Sequence, residues 1–516
     1  STCLLSRWSA VRIGPGAPNC SEKRMKKMKV MISYPPLEGK GCPLLGQNRQ
    51  FQWFNSPTYI YPMVPSYAAT MLKEAGFDVV WDDAIAENLN FTEWLERVKE
   101  KRPDVIAMET KTPVVKLHWM IIKELKKLET DDCHPLTILM GDHVTAMPGE
   151  TMENSDVDFV LTGGDYDFLL LNLCNHLANS CAEGVVQLEP GIWYRQNGEV
   201  KNTGEFKLNH DLNKLPFIDR DLTKWHLYSR ENGNYKRVPG TYTMVGRDCW
   251  YHRCSFCSWT TTYPEFRSRN PESLLNEIDG LIKNYKVREI MDDTGTFPKG
   301  EWLKEFCEGM IQRGYNRKIF LDCNMRFGAV DLEGYKLMKK SGFRLLLFGI
   351  ESANQKTLER INKGVTIEKI MESCKMARKA GLYPHITIMF GYPWEDYNDA
   401  LNTLKLGKYL LKKGYAYTMQ ATMVIPYPGT PLFKECKENG LLKTLDWERY
   451  DMKEPVMKTD IEETRLAELV QGLYKVAVNP EFIYNRLISI RDFEDVQYFF
   501  RAAKKVAGHI LDFKHG

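Results

Sequence analysis

The stretch Gly246–Trp259, GRDCWYHRCSFCSW, is the most informative part of this chain. Its three cysteines, Cys249, Cys254 and Cys257, lie within nine residues of sequence and have aromatic residues between them. Thiolates at this density suit an iron–sulfur cluster better than a disulfide. Three ligands leave one iron of a four-iron cluster open to an exchangeable ligand. The stretch therefore predicts a [4Fe-4S] site.

Two other interpretations of these cysteines stay open at this point. Zinc usually takes four ligands, often from two CxxC-like pairs, and no second pair follows at a suitable distance. His252 could supply a fourth nitrogen. The chain has 13 cysteines, so a chance grouping of unliganded thiols is the third interpretation.

Composition bounds the class of protein. A chain of 516 residues is long enough for two or three domains. The net charge of +3 gives no reason to expect nucleic acid as a partner. No apolar run reaches the roughly 18 residues of a membrane span. The other ten cysteines lack regular spacing, which predicts a reducing, cytoplasmic environment.

The first segment, residues 1–24, lacks the continuous apolar region of a signal peptide. Met25 is followed at once by a strand-like run. We therefore expect residues 1–24 to be a non-native or disordered extension without function.

Residues 25–185 alternate short apolar runs with amphipathic stretches, such as the helix predicted over 65–76. Apolar strands separated by helices predict a doubly wound parallel sheet. Ligands of such sheets bind beyond the carboxyl ends of the strands. The predicted strands cover residues 29–34, 77–81, 104–109, 137–141 and 156–161.

The rest of the chain predicts a second α/β domain. Residues 186–240 read as a hairpin, with an Asn197-Gly198 turn, and a linker. Residues 241–436 contain six strand–helix units, fewer than the eight of a closed barrel, and predict a partial (β/α)6 TIM-like barrel. Its predicted strands cover residues 241–245, 289–291, 319–323, 345–350, 385–390 and 419–425.

Residues 437–516 read as a helical C-terminal region, with amphipathic stretches at 461–478 and 493–513. We expect this region to cap the barrel. A helix that lies on a membrane surface is the alternative for 493–513, because it mixes aromatic and basic residues.

Several segments in chain order resemble one family. The cysteine stretch resembles the CxxxCxΦC pattern of radical S-adenosylmethionine (SAM) enzymes, with Phe256 at the aromatic position and one extra residue after Cys249. MDDTGT at Met291–Thr296 falls where that family often has a strand end with two aspartates. FGIESANQKTLERINKG, FGYPWED and IPYPGTPLF, which begin at Phe348, Phe390 and Ile425, resemble the cobalamin-dependent branch.

The amino-terminal half adds to this resemblance. MGDHVTAMP, from Met140, and DVDFVLTGGDYD, from Asp156, resemble the cobalamin-binding domain that precedes many radical SAM enzymes. The resemblance implies three cofactors: a [4Fe-4S] cluster, SAM and cobalamin. It implies a methyltransferase that methylates an unactivated carbon through a 5′-deoxyadenosyl radical and methylcobalamin. A cobalamin-dependent radical SAM cyclase or ring-rearranging enzyme is the alternative, and a non-catalytic cobalamin sensor is the third hypothesis.

The resemblance also implies contacts for SAM. Arg326 would meet the carboxylate, although it could instead pair with Asp331 or Glu333 on the surface. Glu351 and Ser352 would meet the ribose or amino group. The predicted SAM contacts are Phe256, Asp293, Arg326, Glu351, Ser352, Gly391, Pro393 and Ile425.

For cobalamin, the resemblance implies that the nucleotide tail lies along the carboxyl edge of the first sheet. In similar cobalamin domains, the loop after the first strand supplies a histidine that binds cobalt. Here that loop lies within residues 33–58, which contain no histidine, so the resemblance implies that cobalt has no histidine ligand from this loop. His143 is an alternative ligand, or a plain loop histidine. The predicted cobalamin contacts are Tyr34, Pro35, Thr110, Thr112, Gly141, Asp142, His143, Val144, Thr145, Ala146, Gly163 and Gly164.

The expected partners are a small-molecule, lipid or peptide substrate and an electron donor such as a flavodoxin or ferredoxin. We expect neither nucleic acid nor a transmembrane segment. The predicted location is cytoplasmic, and peripheral at a membrane if the substrate is a lipid. The sequence predicts neither the identity of the substrate nor the oligomeric state.

Overall fold

The computed structural model describes residues 27–39, 41–44, 51–128, 134–179 and 186–512. The predicted extension, residues 1–24, lies outside these ranges. The described chain forms two compact units. One contains the residues up to Glu38 together with Val64–Lys224, and the other contains Gly39–Met63 together with the chain from Trp225. The predicted domain boundaries at residues 185, 240 and 436 stay predictions.

The first unit is built on a seven-stranded sheet in the order β2-β1-β3-β4-β5-β6-β7. The first five strands are parallel, and β6 and β7 form the predicted antiparallel hairpin. The strands are β1 (Lys29–Tyr34), β2 (Asp78–Asp83), β3 (Val105–Glu109), β4 (Leu136–Met140), β5 (Phe159–Leu161), β6 (Ile192–Gln196) and β7 (Glu199–Asn202). An order of 2-1-3-4-5 is one of the two common doubly wound arrangements, so the predicted fold class is confirmed.

Helices connect these strands. Asn90 caps α2 through its side chain in a capping box with Glu93, and Trp94 of this helix is fully buried. The helices are α1 (Met63–Glu74), α2 (Phe91–Lys101), α3 (Val115–Lys126), α4 (Asp142–Ala146), α5 (Pro148–Asn154) and α6 (Tyr166–Asn179).

The second unit contains six parallel strands that pair in chain order, from β8 to β13. They are β8 (Gly240–Thr243), β9 (Glu289–Asp292), β10 (Phe320–Asn324), β11 (Phe343–Glu351), β12 (Tyr383–Phe390) and β13 (Thr418–Met423). This arrangement confirms the predicted partial barrel.

Helices alternate with these strands and continue after them, as the predicted helical C-terminal region requires. They are α7 (Trp259–Thr262), α8 (Pro271–Tyr285), α9 (Glu301–Gln312), α10 (Leu332–Lys340), α11 (Gln355–Arg360), α12 (Ile367–Lys379), α13 (Tyr397–Lys412), α14 (Pro431–Glu438), α15 (Glu463–Tyr474), α16 (Pro480–Leu487) and α17 (Phe493–Asp512).

The open side of the partial barrel exposes the free edge of β13. The phenol of Tyr474, at the end of α15, covers this edge: its oxygen accepts from the Ala421 amide at 3.0 Å and donates to the Ala421 carbonyl at 3.3 Å. The backbone of the last strand is therefore paired at its centre, although no seventh strand of the barrel follows in the chain up to Asp512.

Candidate active site

The cysteine loop of the second unit turns back on itself around Cys249. Asp248 and His252 both have positive φ, 75° and 52°, and the His252 Nδ1 contacts the buried carboxylate of Asp248. Aspartate and histidine tolerate this left-handed backbone better than most residues. The contact between these two residues closes a tight turn around Cys249.

All three predicted cysteines line one cavity of about 240 Å³. The Cys249 Sγ lies 2.9 Å from the Thr296 hydroxyl, and an Arg326 Nη1 lies 3.9 Å from the Cys254 Sγ. Burial raises the pKa of Cys254, and the cations Lys363 and Arg326 act in the opposite direction. The described cysteines are free thiols.

The guanidinium of Arg326 faces this cavity. It lies 3.4 Å from the centroid of the Tyr251 ring, in a cation–π contact. The surface pairing considered above does not form: Asp331 caps α10 by accepting from the Gly334 amide, and Glu333 pairs with Lys336 at 2.7 Å. Arg326 thus lines the cavity, and its Nη2 donates to the Lys363 carbonyl.

A largely buried ion pair joins the end of β11 to the loop between α11 and α12 at the same cavity. The Lys363 Nζ lies 2.6 Å from the Glu351 Oε1, and both residues line the cavity. Glu351 has φ of 67°, a strained backbone of the kind that often occurs at functional sites. A Cβ on Gly349 would lie 1.9 Å from that carboxylate oxygen, so only glycine leaves room for the pair. Sequence reasoning missed Lys363, although it stands in the quoted segment that ends INKG.

The other predicted SAM contacts divide into two groups. Phe256, Asp293 and Ile425 line the cavity with Arg326 and Glu351. Ser352, Gly391 and Pro393 are absent from its lining.

Ser352 instead belongs to a buried hydrogen-bond network behind the cavity. Its hydroxyl donates to the Glu395 carboxylate at 2.7 Å and lies 3.4 Å from the Thr403 hydroxyl. Gly391, with φ of 93°, and Pro393 belong to the loop that follows β12. These three residues shape the loops and do not face the cavity.

The cavity extends into the barrel along β12. His385, Thr387 and Met389 alternate along this strand and all line the cavity. Burial lowers the pKa of His385 to about 4, so its imidazole is neutral, and its Nδ1 lies 2.9 Å from the Thr418 hydroxyl. The period-two pattern His-x-Thr-x-Met was the available sequence signal, and it was missed.

In the first unit, predicted cobalamin contacts meet at the carboxyl edge of the sheet. The Tyr34 phenol donates to the buried Glu109 carboxylate at 2.5 Å, and the Tyr166 phenol donates to its other oxygen at 3.2 Å. Burial and the neighbouring Glu109 raise the pKa of Tyr34. The Lys111 Nζ lies 3.6 Å from the Asp142 carboxylate. Pro35 follows Tyr34 directly.

Two glycine loops lie next to each other at this edge. Gly141 has φ of 123°, and a Cβ there would lie 2.4 Å from the Thr110 carbonyl oxygen. The Thr145 hydroxyl donates to the Gly141 carbonyl at 2.6 Å and accepts from the Gly163 amide at 3.0 Å. Val144 and Ala146 lie in the intervening helix α4, and Gly164 follows Gly163.

His143 is buried between two polar side chains. Its Nδ1 lies 3.2 Å from the Thr112 hydroxyl, and its Nε2 lies 3.3 Å from the Glu150 carboxylate. Both ring nitrogens therefore face protein groups. This placement favours the plain loop histidine over the cobalt ligand.

His210, which sequence reasoning missed, joins two loops of the first unit. Its Nδ1 and Nε2 each lie 2.9 Å from a carboxylate, Asp165 and Glu189 respectively, and its ring stacks on Phe168. Burial opposes the charged form, but the two carboxylates outweigh it and raise the pKa of His210 to about 9.

In the described part of the chain, no group of three or more His, Cys, Asp and Glu side chains could hold a metal ion as placed. In the same ranges no helix is long and apolar enough to cross a membrane.

Comparison with known proteins identifies the second unit. Residues 244–407 match the family model of the Radical SAM superfamily. An uncharacterized methyltransferase of Pyrococcus horikoshii is 28% identical over 438 residues, which cover 84% of this chain and 88% of that protein. The anaerobic magnesium-protoporphyrin IX monomethyl ester cyclase of Cereibacter sphaeroides is 25% identical over 438 residues, covering 84% and 67%.

A solved structure supports the same fold. The radical SAM methyltransferase TsrM of Kitasatospora setae, solved with cobalamin and a [4Fe-4S] cluster bound, superposes with a TM-score of 0.65 at 15% identity. The match covers 94% of this chain and 99% of that one. The second unit thus contains a radical SAM domain. The predicted resemblance to radical SAM enzymes is confirmed for residues 244–407, and the fold is shared with TsrM.

Proposed function

We propose that this chain is a cobalamin-dependent radical SAM methyltransferase that methylates an unactivated carbon. The observation that carries the proposal is the cavity of the radical SAM domain, which brings Cys249, Cys254 and Cys257 together with Arg326 and Lys363. The similarity of this chain to the uncharacterized methyltransferase of Pyrococcus horikoshii, over 84% of the chain, supports the same reaction class.

The three thiols fit a [4Fe-4S] cluster by their chemistry and by the cavity that they share. Lys363 and Arg326 favour the thiolate of Cys254, which a cluster requires. When bound, the cluster supplies the electron that cleaves SAM, and methylcobalamin supplies the methyl group.

Arg326 and the Glu351–Lys363 pair are the proposed contacts of SAM. A guanidinium can bind a carboxylate through two parallel hydrogen bonds, and Glu351 can accept from an ammonium or hydroxyl group. The Arg326 guanidinium and the Glu351–Lys363 pair are largely shielded from water. Their contacts would therefore hold SAM in one orientation. Asp293, Phe256 and Ile425 complete the proposed site.

We propose residues 25–185, most of which belong to the first unit, as the cobalamin domain. The 2-1-3-4-5 strand order puts Thr110, Gly141 and Gly163 at the edge where doubly wound sheets bind ligands. Residues 241–436 would then be the radical SAM core and 437–516 its cap. Cytoplasmic placement and reduction by a flavodoxin or ferredoxin belong to the same proposal.

The test is anaerobic reconstitution followed by analysis of products. We expect about four irons per chain and a brown, oxygen-sensitive protein. With a substrate, methylation should add one CH₂ unit and form 5′-deoxyadenosine and S-adenosylhomocysteine in equal amounts, since one SAM remethylates cobalamin and a second is cleaved. Failure to form 5′-deoxyadenosine from the fully reconstituted protein would contradict the proposal.

A cyclase is the second candidate, because the chain is 25% identical to a magnesium-protoporphyrin monomethyl ester cyclase over 84% of its length. The mass of the product separates the two reactions. A product without the extra CH₂ unit, formed together with 5′-deoxyadenosine, would favour the cyclase.

A further inference from the structure

Helix α16 exposes an apolar face to solvent. Ile483, Tyr484, Leu487 and Ile488 are 42%, 64%, 59% and 62% exposed, and Val478, just before the helix, is 75% exposed. Positions i, i+1, i+4 and i+5 share one side of a helix. We call these five residues the α16 patch. Single exposed apolar residues are common, but five together on one short segment usually mark a binding surface.

The exposure does not come from a loosely attached helix. The Asn485 side chain donates to the Lys412 carbonyl at 2.8 Å, and the Arg486 guanidinium donates to the backbone of Ala416 and Tyr417. The same guanidinium lies 4.0 Å from the Tyr417 ring centroid. The inner face of α16 is therefore fixed to the barrel, and this orientation leaves its apolar face exposed.

Lysines without acidic partners lie on α13 and at the start of the 3₁₀ helix Lys475–Val478, the two elements that pack against α16. Lys405, Lys408 and Lys412 follow one face of α13, Lys413 ends that helix, and Lys475 ends α15. None of the five makes an ion pair with any residue that the structure describes. Burial lowers the pKa of Lys408, and the nearby charges of Lys412 and Lys475 act in the same direction.

We propose that the α16 patch binds the surface of an anionic lipid bilayer, with its apolar side chains at the boundary between headgroups and acyl chains. Apolar residues next to unpaired lysines match the arrangement of acyl chains beneath anionic headgroups. A second copy of this chain is a poorer match, because it would oppose one lysine cluster to another. The patch is also far smaller than the roughly 20 to 30 residues that each partner contributes to a stable dimer.

The patch lies at the opposite edge of the barrel from the cysteines. Arg486 reaches the carbonyl of Tyr417, the residue before β13 begins, whereas the cysteine cavity is lined by residues at the strands' carboxyl ends, such as Glu351 and Ile425. Attachment through α16 would leave the cavity open. The proposal therefore does not depend on the proposed methyl transfer or on a lipid substrate.

Sedimentation of the full-length protein with vesicles tests the proposal. We expect it to sediment with vesicles of mixed phosphatidylglycerol and phosphatidylcholine, to remain in the supernatant with phosphatidylcholine alone, and to bind less as salt rises. Lys412→Ala/Lys475→Ala should weaken binding about 30-fold, at about fivefold per lysine near the surface. Leu487→Glu/Ile488→Glu should abolish it.

Two control variants match these changes elsewhere on the second unit. Leu445→Glu alters a side chain that is 52% exposed outside the patch, and Lys336→Ala/Lys369→Ala removes two exposed lysines. Both should bind like the wild type, and all variants should keep the wild-type iron content and thermal unfolding. Equal sedimentation with both vesicle types, or equal loss in the controls, would overturn the proposal. Concentration-dependent self-association that Leu487→Glu/Ile488→Glu removes, without vesicle binding, would also overturn it.

Discussion

At the scale of single residues, the space above Gly349 decides whether Glu351 and Lys363 can pair inside the cavity. Gly349→Ala would put a methyl group 1.9 Å from the Glu351 carboxylate and 2.8 Å from the Lys363 Nζ. One of these side chains must then move. We expect the affinity for SAM, measured by equilibrium dialysis, to fall about 10-fold or more, since overpacking of this kind costs about 1–3 kcal/mol.

The control for this variant is Gly280→Ala, in the middle of α8, where no atom lies within 4 Å of the added Cβ. It should bind SAM like the wild type and gain about 0.5–1 kcal/mol of stability, because alanine favours a helix more than glycine does. Wild-type SAM affinity in Gly349→Ala would mean that the ion pair does not contact the ligand.

The three cysteines of the cavity allow a test with internal controls. Cys249→Ala, Cys254→Ala and Cys257→Ala should each lose most of the bound iron and all 5′-deoxyadenosine formation, because a cluster with two protein ligands is poorly retained. Cys307→Ala should keep both: its thiol is buried in the core beside Ser341, and burial raises its pKa to about 12. Iron content is measured after anaerobic reconstitution. Full iron in Cys249→Ala would show that the longer spacing displaces the first ligand.

At the scale of elements, His210 makes the loop after β5 sensitive to pH. The pKa of His210 is raised from its ordinary value of 6.5 to about 9 by Asp165 and Glu189. The stability that the charged ring contributes is therefore fully present below pH 6.5 and is lost as pH rises through about 9. Because the ring is only half-buried, we expect this to amount to about 1–2 kcal/mol.

Thermal unfolding at several pH values measures this contribution. The melting temperature of the wild type should fall between about pH 7 and 10, and His210→Gln should remove most of that dependence while lowering the melting temperature near pH 6. Identical pH profiles for the two proteins would assign the stabilisation to other groups.

The elements themselves were largely predictable, because apolar periodicity reports which backbone segments are buried. β1 matches its predicted bounds, Lys29–Tyr34. β5 begins at Phe159 and not at 156, because the Asp158 carboxylate accepts from the Thr137 amide and hydroxyl and ends the preceding turn. The pairing of His210 with Asp165 and Glu189 was not predictable, since 45 and 21 residues separate the partners.

In the candidate site, too, the sequence predicts which residues stand in motifs but not which groups their side chains contact. The cysteines and Arg326 were predictable because they stand in motifs or directly after a strand. Ser352 was predicted to contact SAM from its place in a motif, yet its hydroxyl points to Glu395. Which side of a strand end faces a cavity depends on the local backbone, and here Glu351 has positive φ and breaks the alternation.

At the scale of the whole molecule, the proposed contacts of the two cofactors belong to different units. Those of the cluster lie in the second unit and those of cobalamin in the first. We therefore expect the iron content and the cobalamin content of the protein to vary independently. Cys254→Ala/Cys257→Ala should lose iron and keep its cobalamin, as measured by absorbance after removal of unbound cofactor.

The converse variant is Gly141→Ala, whose Cβ would lie 2.4 Å from the Thr110 carbonyl in a backbone with φ of 123°. It should lose cobalamin and keep its iron. His143→Ala should keep cobalamin with an unchanged Co(II) paramagnetic resonance spectrum, because both nitrogens of this ring face Thr112 and Glu150. Joint loss of iron and cobalamin in Cys254→Ala/Cys257→Ala or in Gly141→Ala would contradict independent loading.

The contact of Tyr474 with Ala421 has a consequence for behaviour at high concentration. A free edge strand is a template on which another chain can add a strand, and repeated addition leads to aggregates. The phenol occupies the amide and carbonyl at the middle of β13, where an incoming strand would need them. The barrel can therefore stay open at β13 without offering that strand as a template for aggregation.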